Sequence, residues 1–289
     1  MSAPHPIPYQ GSKRRLAAAI LRHATPAERL VEPFAGSAAI TLAAAARGLA
    51  KEFLLADRLA PLAALWRAIV EQPAATARRY ERLWRGQGGD PAAHFAAVRD
   101  RFNRSGDPVL LLYLLARCVK NAVRFNGDGA FNQAPDHRRR GMHPDRMRRH
   151  IARAAGLLAG RCEIRAADFA EVLAGAGPRD LVYLDPPYQG VSRGRDPRYV
   201  AGLDLPRLLD ALEDMNRRQV RYLLSFDGCT GEVEYGPPLP GELRLHRVAL
   251  AAGRSTQATL SGRVAHTVES LYLSPALQMA CLSTLRSTG

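Results

Sequence analysis

The chain has 289 residues, 47% hydrophobic and 24% charged, which argues against disorder and gives enough length for one large domain or a core with a smaller insert. Lys and Arg number 41 against 27 Asp and Glu, a formal charge of +14 that predicts affinity for a polyanion. The four scattered cysteines (Cys118, Cys162, Cys229, Cys281) show no zinc-ligand spacing, no run reaches the ~18 apolar residues of a membrane span, and Met1–Gln10 lacks the order of a secretion signal. The expectation is a cytoplasmic protein with reduced thiols, no metal site and no membrane partner.

In chain order, the first apolar run, Arg29 to Glu32, ends in an acid. Pro33-Phe34-Ala35-Gly36-Ser37 follows, then an Ala- and Leu-rich stretch to Arg47. This pattern predicts a strand, a glycine turn and a helix. Glu52 to Ala56 predicts a second strand ending at Asp57, and Pro61 to Glu71 a helix opened by proline. Two such units in a row imply a parallel sheet.

From Gln72 to about Pro144 the text turns polar, Arg-rich and Gly-rich, with Pro108 to Lys120 its clearest helix. It reads as an insert, which divides the chain into a core of residues 1–71 and 145–289 and an inserted unit, 72–144. Between Arg117 and Arg153 stand nine Arg and one Lys against three Asp, half of the whole cationic excess. That segment is the expected phosphate-facing surface, with an ordinary solvated basic face as the alternative.

Strand text resumes at Cys162 to Ala166, with Asp168 beyond it, and at Asp180 to Leu184, which reaches Asp185. A helix is predicted over Leu205 to Arg217, and further strands over Tyr222 to Phe226 and Val268 to Leu273. The fold class that follows is α/β, a Rossmann-like doubly wound sheet with a mostly helical insert. In such sheets ligands sit outside the carboxyl ends of the strands, where Glu32, Asp57, Asp168 and Asp185 all fall.

Asp185-Pro186-Pro187-Tyr188 is the most specific signal. Two prolines stiffen the turn and remove two N–H donors, leaving acceptors at the strand end. The amine of adenine is a poor nucleophile because its lone pair is delocalised into the ring. The Asp185 carboxylate and the Pro186 carbonyl can accept both amine protons and localise that pair, while Tyr188 offers an aromatic face to the base. A rigid structural turn is the plainer alternative.

The order of these motifs resembles the DNA adenine methylase family, the N6-adenine-specific, S-adenosylmethionine-dependent DNA methyltransferases. The likeness rests on Tyr9-Gln10-Gly11-Ser12-Lys13 before the first strand, Glu32-Pro33-Phe34-Ala35-Gly36-Ser37 after it, Asp57 after the second, the central insert, and Asp185-Pro186-Pro187-Tyr188. It implies S-adenosylmethionine as cofactor. Tyr9 and Lys13 would help to hold it, Gly36 would let the backbone approach, and Asp57 would accept the ribose hydroxyls. Asp168 and Phe169 would lie along its adenine, with Glu32, Pro33, Phe34, Ser37 and Asp185 in the same wall; for Asp168 a plain helix cap is the alternative.

The resemblance extends into the insert. Arg117, Lys120, Asn121, Arg124, Asn126 and Asn132 match the family's DNA-contacting segment, and Arg and Asn suit base edges; the alternative is that several of them only shape the insert. Lys120-Asn121-Ala122 departs from the aromatic, Asn and Gly of relatives that read GATC, and Asn121 lies one residue closer to Arg124. Arg138, Arg139 and Arg140, with Arg146, Arg148 and Arg149, form a basic run that can neutralise phosphates. The implied partner is double-stranded DNA, from which the base must be extruded, with a monomer expected and a cognate restriction endonuclease as a conceivable companion. Competing readings are a cytosine-N4 methyltransferase, a protein or RNA methyltransferase, and a DNA-binding relative without catalysis. Gly253 to Arg263 reads as a loop on the DNA side or a plain hairpin loop.

Overall fold

The computed structural model describes residues 3–187, 203–230, 233–235, 239–254 and 266–287. One sheet organises them. Its strands are β1 (Ala27–Glu32), β2 (Ala50–Asp57), β3 (Cys162–Ala166), β4 (Asp180–Leu184), β5 (Arg221–Thr230), β6 (Val233–Tyr235), β7 (His246–Arg254) and β8 (His266–Leu273). The order is β3-β2-β1-β4-β5-β8-β7, with β6 paired to β5. The first five strands in that order run parallel, whereas β8 is antiparallel to both β5 and β7. Chain order reverses between β1 and β4, and a crevice opens above their carboxyl ends.

The helices are α1 (Ala17–Ile20), α2 (Ala39–Ala45), α3 (Ala60–Glu71), α4 (Pro73–Arg85), α5 (Pro91–Ser105), α6 (Pro108–Arg117), α7 (Pro144–Leu158), α8 (Phe169–Ala174), α9 (Leu205–Arg217) and α10 (Pro275–Ser287). Proline opens α3 to α7 and α9, where a missing N–H costs nothing. Asp90, Asp107 and Asp204 cap α5, α6 and α9 by accepting from backbone N–H groups.

Strand alternation divides the core into two faces. On β4, Leu181 and Tyr183 pack with the side that holds α1 to α7, and Val182 and Leu184 with the side that holds α8 and α9. Glu32 follows Leu30 by two residues and Asp57 follows Leu55, so both acids keep the parity of the first face.

Residues 72–144 hold α4, α5, α6 and a short hairpin in which Phe125 bridges Phe131. After its opening proline every residue of α6 is buried, and its leucines share a core with Trp66 and Ile69 of α3. The helix expected to reach Lys120 stops at Arg117. Lys120 and Asn121 both have positive φ, 58° and 53°, and Asn121 Nδ2 donates to Leu115 O at 2.7 Å, closing the helix end.

The parallel sheet expected from the βα units is present as β3-β2-β1-β4-β5 and is extended by an antiparallel edge. Strand β7 (HRVALAAGR) holds the short apolar run 248–252, which no predicted element covers, and it pairs antiparallel with β8 at the sheet edge. Gly253 and Arg254, expected in a loop, end that strand; residues 255–263 of the same stretch lie outside the described residues.

Candidate active site

A cleft of about 310 Å3 opens at the carboxyl ends of β1, β2 and β4. Its lining includes Tyr9, Lys13, Glu32, Pro33, Phe34, Gly36, Ser37, Asp57, Asp168, Phe169 and Asp185, with Pro186 and Pro187 on the same wall. The four strand-end acids therefore converge. Tyr188 lies outside the described residues.

The turn after β1 is built for close approach. Gly36 has φ +46°, and a Cβ there would stand 3.3 Å from the Tyr9 ring. Gly36 N donates to Asp57 Oδ2 at 3.1 Å, Trp66 Nε1 donates to Gly36 O at 3.0 Å, and Ser37 Oγ donates to Ser12 Oγ at 2.7 Å. These bonds fix a loop that would otherwise be free to sample. The other Asp57 oxygen accepts from Leu59 N at 2.9 Å. A carboxylate has about four acceptor positions, so Asp57 keeps capacity for a vicinal diol. Burial holds its pKa above the ordinary carboxylate value, against the two backbone donors.

Phe34 and Phe169 stack across the cleft wall, 5.3 Å between centroids and 28° from parallel. Asp168 caps α8 through Ala170 N at 3.0 Å and pairs with Arg207 at 2.8 Å, while the Arg207 guanidinium covers the Phe169 ring at 5.4 Å. Asp168 is thus a helix cap that also faces the cleft. Arg207 belongs to α9 and was marked by no motif; it reaches the site only through the fold.

At the opposite end, Lys13 Nζ stands 2.8 Å from Asp185 Oδ1 and is 6% exposed. Burial alone would lower its pKa, but the charges of Asp185, Tyr183 and Glu269 outweigh that and hold the ammonium above its ordinary value. Glu32 is buried, accepts from Thr41 N at 3.0 Å and Thr41 Oγ1 at 2.5 Å, and is pushed up to about 8 by burial. It is therefore mostly neutral at pH 7, which leaves Lys13 to balance Asp185. About a fifth of the Asp185 side chain remains open to the cleft.

The sequence-based DNA contacts divide. Arg117 is corrected to an internal strut: it is buried, with Nε on Gln87 Oε1 at 3.0 Å and a second bond to Asp136 O. The Asn121 amide closes α6, and Asn126 Oδ1 holds the hairpin tip through Asp128 N and Ala130 N at 3.1 and 2.8 Å. Arg139 pairs with Asp136 at 2.7 Å, and Arg140 donates to Gln87 O at 3.3 Å. Lys120, Asn132 and Arg138 are exposed, and Arg124 is half-buried in the hairpin. Val123 and Phe125 of the hairpin line the cleft, and Gln10 N donates to Asn121 O at 3.0 Å, so the segment after α6 and the amino-terminal motif meet at the cleft.

Residues 9–221 match the family model of the D12 class N6 adenine-specific DNA methyltransferases. The chain is similar to the retron Ec67 DNA adenine methylase of Escherichia coli, 29% identical over 194 residues, 65% of each chain. It is also similar to the DNA N-6-adenine-methyltransferase of Escherichia phage P1, 27% identical over 234 residues, which are 76% of this chain and 29% of that relative. Against the DNA adenine methylase of Escherichia coli strain K12 it is 27% identical over 190 residues, 64% of this chain and 65% of the relative. The match thus spans just under two thirds of two of these relatives and less than a third of the phage protein. With the family's span covering the cleft from Tyr9 through Asp185, the chain belongs to the D12 class of N6 adenine-specific DNA methyltransferases.

Proposed function

We propose that this protein transfers a methyl group from S-adenosylmethionine to the N6 amine of adenine in duplex DNA, acting as a monomer. The observation that carries the reading is a single cleft lined by a diol-accepting acid (Asp57), a stacked aromatic pair (Phe34, Phe169) and the Asp185-Pro186 acceptor edge. When bound, S-adenosylmethionine supplies a sulfonium-activated methyl group. The residues around it bind and orient: Asp57 accepts the ribose hydroxyls, Phe169 flanks the base, and Gly36 admits close backbone contact. Asp185 and the Pro186 carbonyl accept the two protons of the incoming amine, which localises its lone pair. Holding amine and donor in line supplies much of the remaining rate. The amine cannot be reached inside the stack, so the adenine is extruded into the cleft.

Duplex DNA incubated with the protein and a methyl-labelled donor, then digested to nucleosides, tests the reading. Label in N6-methyldeoxyadenosine is expected. Label in N4-methyldeoxycytidine would transfer the assignment to cytosine, and no label in any nucleoside would remove it.

A further inference from the structure

Glu269 lies on β8, beyond the family's matched span and outside every motif read from the sequence. Leu271 and Leu273 of that strand pack into the first core face, and Glu269, two residues before Leu271, has the same parity. A carboxylate at such a position needs a compensating charge. Its register partners, Leu250 on β7 and Gly228 on β5, bring none.

A bulge fixes the backbone here. Ser225 pairs with Leu271 and Gly228 with Glu269, so Phe226 and Asp227 stand opposite Ser270 alone. A Cβ on Gly228 would come within 2.5 Å of Val268 O, which shows how closely the two strands approach beside Glu269. Glu269 Oε2 is buried without a well-formed hydrogen bond among the described residues, and the Lys13 ammonium stands 3.5 Å from it. Lys13 is thus set between two carboxylates, Asp185 at 2.8 Å and Glu269 at 3.5 Å. Burial pushes the Glu269 carboxyl up while the Lys13 charge opposes that.

We propose that Glu269 is a positioning residue that acts through Lys13: it shares the ammonium with Asp185 and so weakens the hold of Lys13 on the Asp185 carboxylate. Asp185 then remains an acceptor for the target amine. The catalytic consequence rests on the methyl-transfer reading, whereas the pairing itself does not.

Glu269→Gln keeps the shape and removes the charge. The chain holds only three lysines, Lys13, Lys51 and Lys120, so limited acetylation followed by peptide mass spectrometry reads each separately. In Glu269→Gln the Lys13 signal is expected to rise at least threefold relative to Lys51, because the ammonium has lost a partner that retains its proton. An unchanged circular dichroism spectrum and urea midpoint verify an intact fold; a Lys13 signal that stays at the wild-type ratio overturns the proposal. In methyl transfer, Glu269→Gln is expected to lower kcat about tenfold with KM for the donor within twofold, and to lose that effect in a Lys13→Met background. An effect of equal size in both backgrounds overturns the route through Lys13. If the wild-type protein methylates no DNA, the functional reading falls, and the acetylation ratio still judges the pairing.

Discussion

Glu32 carries the plainest pH signature of any residue in the cleft. Burial raises its folded pKa to about 8, above the value of 4.5 expected for an unperturbed side chain. Its stabilising contribution is therefore complete below pH ~4.5 and is lost as pH rises through about 8, by at most ~1.4 kcal/mol per pH unit. Urea titrations across that window should show the wild-type protein losing stability faster than Glu32→Gln, which keeps an acceptor for Thr41 and cannot ionise. Equal slopes would show that Glu32 ionises alike in both states. Gly36 makes a second residue-scale prediction. An alanine there must take φ near +46° and displace the Tyr9 ring, so Gly36→Ala should cost ~1–2 kcal/mol in urea unfolding and weaken donor binding about tenfold by calorimetry. Unchanged affinity would remove Gly36 from the cofactor wall.

Elements were legible where their own residues carried the pattern. The runs ending at Glu32, Asp57 and Asp185 announced their strands because each packs apolar side chains on the sheet and stops at an acid. Strand β7 was missed although residues 248–252 are a short apolar run, because three of those five residues are alanines, which do not separate strand from helix, and its partner β8 lies further along the chain. Arg207 and Glu269 were missed for the same reason: their partners, Asp168 and Lys13, are distant in sequence. The inward parity of a lone glutamate in Val268–Leu273 was the one available signal for Glu269. Arg117 misled in the opposite sense. An arginine ending the apolar helix PVLLLYLLAR is placed to reach inward, and it does so toward Gln87 and Asp136. Arg117→Met should therefore leave buried acceptors unpaired and cost ~2–3 kcal/mol, with faster proteolysis of residues 72–144. The base preference of methylation should not change; a changed preference at unchanged stability would restore Arg117 as a reader of DNA.

For the whole molecule, the charge of +14 comes from arginines of two kinds among the described residues, those in ion pairs and those exposed on the surface. Arg139 and Arg148 pair with acids, Arg148 with Asp145 at 2.9 Å. Arg14, Arg146 and Arg149 are exposed and gather near His5 and His150, which a 3.1 Å bond from His5 N joins to α7. Burial, with Arg14 and Arg146 among the charges acting on it, lowers His5 to about 4. These arginines are suited to phosphates, each adding ~0.9 to the slope of log affinity against log salt on duplex DNA. Replacing all three with alanine should reduce that slope by about 2–3 in filter-binding titrations, and an unchanged slope would place the DNA on another face.

The central claim, that Asp185 activates the amine while the rest of the cleft holds the donor, is tested most directly by measuring donor affinity and single-turnover methyl transfer on Asp185→Ala. The account predicts donor affinity within about threefold of wild type and transfer reduced by roughly 10³-fold or more, in the range of losing a key electrostatic group. Transfer retained above a tenth of the wild-type rate would contradict it.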